Sequence, residues 1–270
     1  MAMLVFLAAL LSAVHMSGCS QNVNMSVDCS DLYKSGQTVS GIYSIYPAGD
    51  LLVSVYCEMI SGGNIQDNGG WTVIQRRMDG SVNFYLPWDQ YKRGFGNVEG
   101  EYWLGLENMY QLTSNRTYML RVDLEDFKGN KGFALYSSFS VGPEADGYRL
   151  QVSGFIVGGA GRTLSFIRMN LILVKLLSSV MLFFSADDSL SFHNGQKFTT
   201  FDKDQDEDGK NCAKKHLGGF WYKDCLGTNP NGIYLWGEDD IIGIIGNVWK
   251  SWKGFTVGMK SISMKIKRVS

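Results

Sequence analysis

Five cysteines in 270 residues constrain this chain more than any other feature of its sequence. Cys19, Cys29 and Cys57 lie near the beginning, whereas Cys212 and Cys225 lie in the last quarter. The four cysteines from Cys29 onward allow three pairings, and the local one, within each sequence group, is the simplest. Each bridge would stabilise the fold by roughly 3 kcal/mol if its effect is mainly on the unfolded chain.

An apolar leader favours disulfide formation in this chain. Residues 1–18 contain an apolar run followed by small residues, which is typical of a secretory signal peptide. Secretion takes cysteines into an oxidising compartment. We therefore predict removal of residues 1–18, a short segment 19–28 in which Cys19 links chains into a homo-oligomer, and an extracellular product. The alternatives are a buried N-terminal helix in place of the signal peptide and a Cys19 that is free or removed by clipping.

Two N-x-S/T sequons agree with secretion. They begin at Asn24 and Asn115. Such sequons accept N-linked glycans on surface loops of secreted proteins, so both asparagines are predicted glycosylation sites.

Composition narrows the fold class. Lys and Arg total 25 against 26 Asp and Glu, and this near-neutral balance argues against a nucleic-acid partner. The chain has 32 Gly and seven Trp, which favours loops packed around large rings over a helical bundle. Strand-like runs at 71–77, 118–124 and 254–264 and a helical run at 103–112 predict an α+β fold with a mixed sheet of short strands.

An acidic run at residues 201–212, FDKDQDEDGKNC, is the strongest candidate for a metal site. Aspartates occupy every second position, at Asp202, Asp204, Asp206 and Asp208. Hard oxygen ligands in this spacing suit Ca²⁺, which takes six to eight oxygens and accepts backbone carbonyls. The twelfth position of an EF-hand counted from Asp204 is Lys215 instead of Glu, so the run predicts a different kind of calcium loop. A solvated acidic turn is the alternative.

Several longer motifs resemble the fibrinogen C-terminal domain family, and most closely its microfibril-associated branch. In chain order they are GGWTVIQRRMDGSVNF (69–84), EYWLGLENMYQLT (101–113), RVDLEDFKG (121–129), HNGQKFTTFDKDQD (193–206), NCA (211–213) and WKGF (252–255). The resemblance extends from about Cys29 to Lys267, so residues 29–270 are assigned to one such domain. The sequence contains neither the collagen repeat nor the coiled coil that other branches carry.

The resemblance implies a secreted, non-enzymatic recognition domain with two disulfides, Cys29–Cys57 and Cys212–Cys225. It also implies one bound Ca²⁺. Carried over by position, the calcium ligands are the carboxylates of Asp204 and Asp206 and the backbone carbonyls of Asp208 and Lys210.

The family's ligand pocket is expected beside the calcium loop, around the second bridge. The positions implied in this chain are Trp221, Tyr222, Asp224, Cys225 and Tyr234. The resemblance also implies a cis peptide bond between Asp224 and Cys225. This chain departs from sugar-binding members at Leu226, where these often have His, and at residues 241–246, which contain no Tyr.

A segment rich in Leu, Ile and Phe interrupts the family pattern. Removing residues 162–187 would join Gly161 to Asp188 and restore the motif, so this segment is predicted to be an insertion in the domain. A membrane span is not expected, because Arg168 and Lys175 would each cost about 2.5–3.5 kcal/mol at the bilayer centre. A retained non-coding segment and an amphipathic loop helix are the two explanations for it.

Two functions follow from these expectations. The favoured one is an extracellular-matrix adaptor that binds fibre proteins in a calcium-dependent way. The alternative is a lectin that recognises acetylated glycans. An enzyme is not expected, because His193 and His216 occur in no recognisable catalytic motif.

Overall fold

The computed structural model describes residues 25–49, 51–59, 69–156, 184–237, 243 and 245–269. The predicted leader, Cys19 and Asn24 lie outside these residues. Residues 162–183 of the predicted insertion also lie outside them. In what is described, strands outnumber helices and the helices are short, which confirms the predicted α+β class.

The strands form one sheet. They are β1 (Gly41–Ile45), β2 (Val53–Glu58), β3 (Trp71–Arg77), β4 (Phe95–Gly96), β5 (Tyr102–Trp103), β6 (Tyr118–Asp126), β7 (Lys131–Val141), β8 (Leu150–Ile156), β9 (Phe184–Ser185) and β10 (Met259–Arg268). The order across the sheet is β1-β2-β3-β10-β6-β7-β8, and β5 adds to β3. β9 pairs with β7 in parallel, while the other pairs are antiparallel, so the sheet is mixed as predicted.

The helices are placed around this sheet. They are α1 (Cys29–Lys34), α2 (Trp88–Arg93), α3 (Leu106–Thr113), α4 (Cys212–His216) and α5 (Lys250–Lys253), with single 3₁₀ turns at Glu144–Asp146 and Ser191–His193. None of the helices in the described ranges combines the length and the apolarity needed to cross a bilayer.

Side-chain periodicity explains the central strands. Alternate residues of β6 are buried from Tyr118 to Asp126, as expected for a strand with one face on the core. In β3 nearly every residue is buried, because loops cover its second face. β10 lies between β3 and β6 and has a register shift between Met264 and Lys265.

Two predicted boundaries were wrong. The helical run predicted from Trp103 begins only at Leu106, because Tyr102 and Trp103 pair with β3. The final strand starts at Met259 and not at residue 254, because α5 precedes it and Gly254 takes a φ of 72°.

Both disulfides form as predicted. Cys29 pairs with Cys57, and Cys212 pairs with Cys225, with Cα–Cα distances of 5.5 and 5.4 Å. The first joins α1 to β2, which attaches the beginning of the described chain to the sheet. The second joins α4 to the loop that follows it.

A buried carboxylate organises the turn after β3. Glu101 is fully buried, and its Oε1 accepts the N–H groups of Met78, Asp79 and Gly80 at 2.8, 3.2 and 3.0 Å. Its Oε2 accepts a fourth N–H, from Val82, at 3.0 Å. Ionic hydrogen bonds of this kind are stronger than neutral ones, so Glu101 fixes the shape of a turn that has no regular secondary structure.

Aromatic rings connect the sheet to the loop-rich part of the chain between residues 186 and 237. Phe198 packs against Tyr91 and Trp221 with ring centroids 5.0 and 5.2 Å apart. Trp103 of β5 lies 6.0 Å from Trp221. These buried rings give the loops a rigid base, which is what the high Trp content predicted.

The C-terminal end of the predicted insertion belongs to the described fold. Phe184 and Ser185 pair with β7, and Ala186 is fully buried. The indole N–H of Trp249 donates to the carbonyl of Ala186 at 2.9 Å. Residues 184–187 therefore contribute to packing, while the origin of residues 162–183 stays a prediction.

Candidate functional site

The acidic run forms a turn-rich loop in front of α4. The N–H of Asp208 donates to Oδ1 of Asp206 at 3.1 Å, and the N–H of Lys210 donates to Oδ1 of Asp208 at 2.9 Å. The N–H of Asp206 points to Oδ1 of Asp204 at 3.4 Å. Each aspartate thus turns the backbone two residues later, which explains why the alternating pattern gives a compact loop and not a strand.

The loop is attached to the second disulfide. Oδ2 of Asp206 accepts the N–H of Cys212 at 3.0 Å, at the first residue of α4. Asn211 caps the same helix through the N–H of Lys214, and its amide donates to the carbonyl of Thr200 at 3.0 Å. The loop and α4 therefore hold each other in position.

A contact with the N-terminal half anchors the other end of the loop. Oδ1 of Asp202 accepts the N–H of Trp88 at 2.9 Å and the hydroxyl of Thr200 at 2.7 Å. The ammonium of Lys203 lies 3.6 Å from the centre of the Trp88 ring, a cation–π contact. Asp202 thus has a structural role at the start of α2.

Two carboxylates at the centre of the loop are electrostatically unfavourable neighbours. Burial, and secondarily the charge of Asp204, raise the pKa of Asp206 to about 6, although the N–H of Cys212 opposes the shift. A cation between the two groups would reverse this penalty. The donor set consists of hard oxygens, which fits Ca²⁺. The carbonyls of Asp208 and Lys210 stay predicted ligands.

A second group of potential ligands does not fit a metal. Asp208 lies close to Cys212 and Cys225, and their side-chain atoms fall within 4.8 Å of one another. Both sulfurs belong to the disulfide, so neither is a thiolate that could bind a metal. For the same reason the 3.3 Å contact from Cys225 Sγ to Oδ2 of Asp208 is not a hydrogen bond, because the sulfur carries no proton.

His193 fixes the segment that follows the second disulfide. Its Nδ1 lies 2.7 Å from the carbonyl of Trp221, which makes Nδ1 the protonated nitrogen. Its Nε2 then accepts the N–H groups of Gly227 and Thr228 at 3.0 and 3.2 Å. Burial lowers the pKa of His193 to about 4, with smaller opposite effects from the hydrogen bond to Trp221 and from the charge of Asp224. The imidazole is therefore neutral and holds three backbone groups together.

In the sequence, His193 stands at the start of a family motif and in no recognisable catalytic motif, and no structural role was predicted for it. Its structural role has no local signal, because the carbonyl and the two N–H groups it binds lie 28 to 35 residues later in the chain. Its position at the end of a 3₁₀ turn between Phe192 and Phe220 becomes evident only in three dimensions.

The predicted ligand residues do not form one surface patch. The side chains of Trp221 and Tyr222 are fully buried, and the indole N–H of Trp221 donates to the carbonyl of Tyr148 at 2.7 Å. Asp224 is exposed and Cys225 is buried beside it. Tyr234 lies elsewhere, with its hydroxyl 3.0 Å from the carbonyl of Met78.

The expected cis peptide is absent from the described residues, so the Asp224–Cys225 bond is trans. A trans bond is the lower-energy form for a residue other than proline. Leu226 is partly buried against the core, and residues 241, 242 and 244 of the Tyr-free segment lie outside the described residues.

The predicted glycosylation site at Asn115 is accessible. Asn115 is exposed in the turn between α3 and β6, and so is Thr117 of the same sequon. Glycosylation there stays a prediction, as does the site at Asn24.

Comparison with known proteins gives consistent results. A family model described as the C-terminal globular domain of fibrinogen beta and gamma chains matches residues 25–269. Microfibril-associated glycoprotein 4 from Bos taurus is 44% identical over 252 residues, which cover 91% of this chain and 86% of that protein. Fibrinogen C domain-containing protein 1 from Homo sapiens is 41% identical over 89% of this chain and 46% of its own length.

Solved structures show the same fold. The fibrinogen-like globe domain of human ANGPTL2 superposes with a TM-score of 0.75 at 37% identity, covering 90% of this chain and 98% of that chain. Lamprey fibrin D-dimer, complexed with the peptide Gly-His-Arg-Pro-amide, superposes with a TM-score of 0.70 at 31% identity, covering 91% and 75%.

Proposed function

Since the chain belongs to the family of fibrinogen C-terminal globular domains, we propose that it is a secreted, calcium-dependent binding protein of the extracellular matrix. The similarity to microfibril-associated glycoprotein 4 along most of both chains supports the matrix location. Fibre proteins of the matrix are the proposed partners.

The observation that carries this proposal is the acidic loop. Asp204 and Asp206 place two carboxylates side by side. The N–H groups of Asp208 and Cys212 fix the orientation of the Asp206 carboxylate, and the N–H of Asp206 points to the carboxylate of Asp204. Such a pre-ordered pair of hard ligands favours Ca²⁺ over an empty loop. Bound Ca²⁺ would supply charge compensation and would stiffen the surface around the second disulfide.

The alternative, recognition of acetylated glycans, has weaker support. Orienting a sugar requires a few well-placed polar groups in an otherwise apolar pocket. The N–H groups of Gly227 and Thr228 are already accepted by His193, and Leu226 offers no polar atom. We therefore favour a protein partner.

We also propose that the chain is not an enzyme. His193 is fully buried and His216 is 6% exposed, so neither imidazole is accessible as a general base for a surface substrate. The names of the relatives fit a binding protein. Interchain linkage through Cys19 remains a prediction of the sequence.

Calcium binding is tested by converting Asp204 and Asp206 together to Asn, which removes the charges and keeps an oxygen acceptor for the backbone N–H groups. Calcium at 100 times its dissociation constant should stabilise the wild type by about 2.7 kcal/mol, or roughly 5–10 °C in melting temperature. The double variant should not respond. Glu207→Gln, a neighbouring charge outside the proposed ligand set, is the matched control and should respond like the wild type.

The partner class is tested by capture from matrix extract and on acetylated beads, each with calcium and with chelator. Calcium-dependent retention of fibre proteins, lost in the double variant and kept in Glu207→Gln, supports the proposal. Retention on acetylated beads alone would favour the lectin. Equal melting of the wild type with calcium and with chelator would contradict calcium binding itself.

A further inference from the structure

A cleft that is separate from the acidic loop opens at the end of β6. Its volume is about 320 Å³, and its walls are formed by Asp126, Phe127, Lys128, Gly237, Lys253 and Val257. Small-molecule sites commonly have volumes of about 300–1,000 Å³, so this cleft matches a ligand the size of one aromatic residue.

An open aromatic wall stands beside the cleft. Trp236 is 78% exposed, the largest value among the exposed large apolar side chains of the described residues. Its ring stacks on Phe127, with centroids 5.3 Å apart and an interplanar angle of 29°. Phe127 also packs edge-on against Tyr234, whose hydroxyl lies 2.9 Å from the carbonyl of Lys260. Phe127, which lines the cleft, is therefore held by Tyr234 and stacked on an indole that is largely open to solvent.

The cleft offers hydrogen-bond donors and few acceptors. Asp126 is 2% exposed, and both of its oxygens are occupied: Oδ1 accepts the N–H groups of Lys128 and Asn130, each at 2.9 Å. Oδ2 accepts the side-chain amide of Asn130 at 2.7 Å and the ammonium of Lys253 at 2.9 Å. The ammonium of Lys253 uses one of its three N–H groups there and lies 4.7 Å from the centre of the Trp252 ring, and the Lys253 side chain is 26% exposed.

The charge of the cleft follows from the same residues. Two lysines and one aspartate line it, and Asp126 is already paired with Lys253. A carboxylate ligand can share the ammonium of Lys253, whereas an ammonium ligand would meet a carboxylate with no free lone pair.

We propose that this cleft binds a carboxylate carried on an aromatic ring. The ring packs against Phe127, Trp236 and Val257, and the carboxylate accepts hydrogen bonds from the ammonium of Lys253. None of the acidic-loop residues takes part, so the site does not depend on the proposed calcium ion.

Titration calorimetry with phenylacetate, phenylacetamide and phenethylamine tests the proposal on the whole chain. Phenylacetate should bind at least about ten-fold more tightly than phenylacetamide, because a hydrogen bond to an ion is worth more than a neutral one. Phenethylamine should bind most weakly. N-acetylphenylalanine, which mimics the C-terminal residue of a polypeptide, separates the two natural sources: tighter binding than phenylacetate indicates a chain terminus, and equal or weaker binding indicates a free aromatic acid.

Two variants and two controls locate the site. Lys253→Gln should weaken phenylacetate about ten-fold or more and leave phenylacetamide unchanged, and Trp236→Ala should weaken both. Lys260→Gln removes an exposed, carboxylate-paired lysine outside the cleft, and Leu52→Ala removes an exposed apolar side chain far along the sheet. Both controls should bind like the wild type.

Several results would overturn the proposal. These are failure of phenylacetate to bind the wild type, equal affinity for phenylacetate and phenylacetamide, and binding that is unchanged in Trp236→Ala. Circular dichroism and melting temperature confirm that each variant is folded. Because Trp236 is exposed, its removal leaves the core intact even if Lys253→Gln destabilises its partner Asp126.

Discussion

Acidification should destabilise this domain through His193. In the folded state, Nε2 of His193 accepts the N–H groups of Gly227 and Thr228, and Nδ1 donates to the carbonyl of Trp221. A second proton on the imidazole would turn Nε2 into a donor that faces two other donors. Asp224 is the one charged group that contributes to the pKa shift of His193, and it only partly offsets the cost of burial.

The magnitude follows from the change in pKa on unfolding. The pKa of His193 falls from 6.5 to about 4 in the folded state. The unfolded chain therefore binds more protons between these values, so the free energy of unfolding decreases as the pH falls. The stabilisation is complete above pH 6.5, decreases by at most about 1.4 kcal/mol per pH unit, and is lost near pH 4, a total of about 3 kcal/mol.

The assay is urea unfolding followed by Trp fluorescence between pH 7 and pH 4, for the wild type and for His193→Gln. Glutamine can donate to the carbonyl of Trp221 and present an oxygen to Gly227, but it does not titrate. The variant should be less stable at pH 7 and should lose less stability on acidification. Asp206 has a raised pKa in the folded state, so its protonation makes the folded state more stable as the pH falls. Both proteins retain Asp206, so this contribution cancels when their pH dependences are compared.

The pKa of His193 can also be measured directly in the wild type, without a variant. The ring resonances of His193, followed by NMR, should titrate below pH 5. A midpoint near 6.5 would refute the proposed geometry, and so would identical pH dependence in the wild type and in a folded His193→Gln.

Two further predictions concern stability. Glu101→Gln should lower the free energy of unfolding by about 3 kcal/mol or more, because it leaves the buried guanidinium of Arg77, 3.4 Å away, without its carboxylate and weakens the hydrogen bonds from four N–H groups. Urea midpoints measure this loss. Unchanged stability would contradict the role of Glu101. Gly94→Ala should destabilise more than Gly129→Ala, since both residues have positive φ, at 95° and 81°, but only at Gly94 would a Cβ approach the carbonyl oxygen of Leu104, at 2.6 Å. Equal melting temperatures of the two glycine variants would contradict this.

Short sequence patterns predicted those elements of the fold that depend on neighbouring residues. β6 was predictable because alternate burial from Tyr118 onward matches the period of a strand, and β3 because β-branched and aromatic residues follow a Gly-Gly turn. The disulfides followed from cysteine spacing together with the family resemblance. The start of α3 at Leu106 was missed because Trp103 has helical spacing with its neighbours but pairs in the sheet.

The candidate site was predictable only in part. The acidic loop was recognised from its alternating aspartates, yet the attachment of Asp202 to Trp88 joins residues 114 positions apart and has no sequence signal. Trp221 and Tyr222 were assigned to a pocket by position in the family pattern, although their side chains lie in the core. Aromatic residues in a Gly-rich segment suit a binding surface and a packed interior equally well, so only the fold distinguishes them.

The position of β10 sets a condition on how the domain can be made. Its residues, 259–268, come after every other strand in the chain, yet they hydrogen-bond to β3 on one side and to β6 on the other. A ribosome therefore delivers both halves of the sheet before it delivers the strand that joins them. Until then the inner edges of β3 and β6 present unpaired backbone groups, which are available to other chains. A nascent chain of this kind should need protection from contact with other chains until residue 268 has emerged.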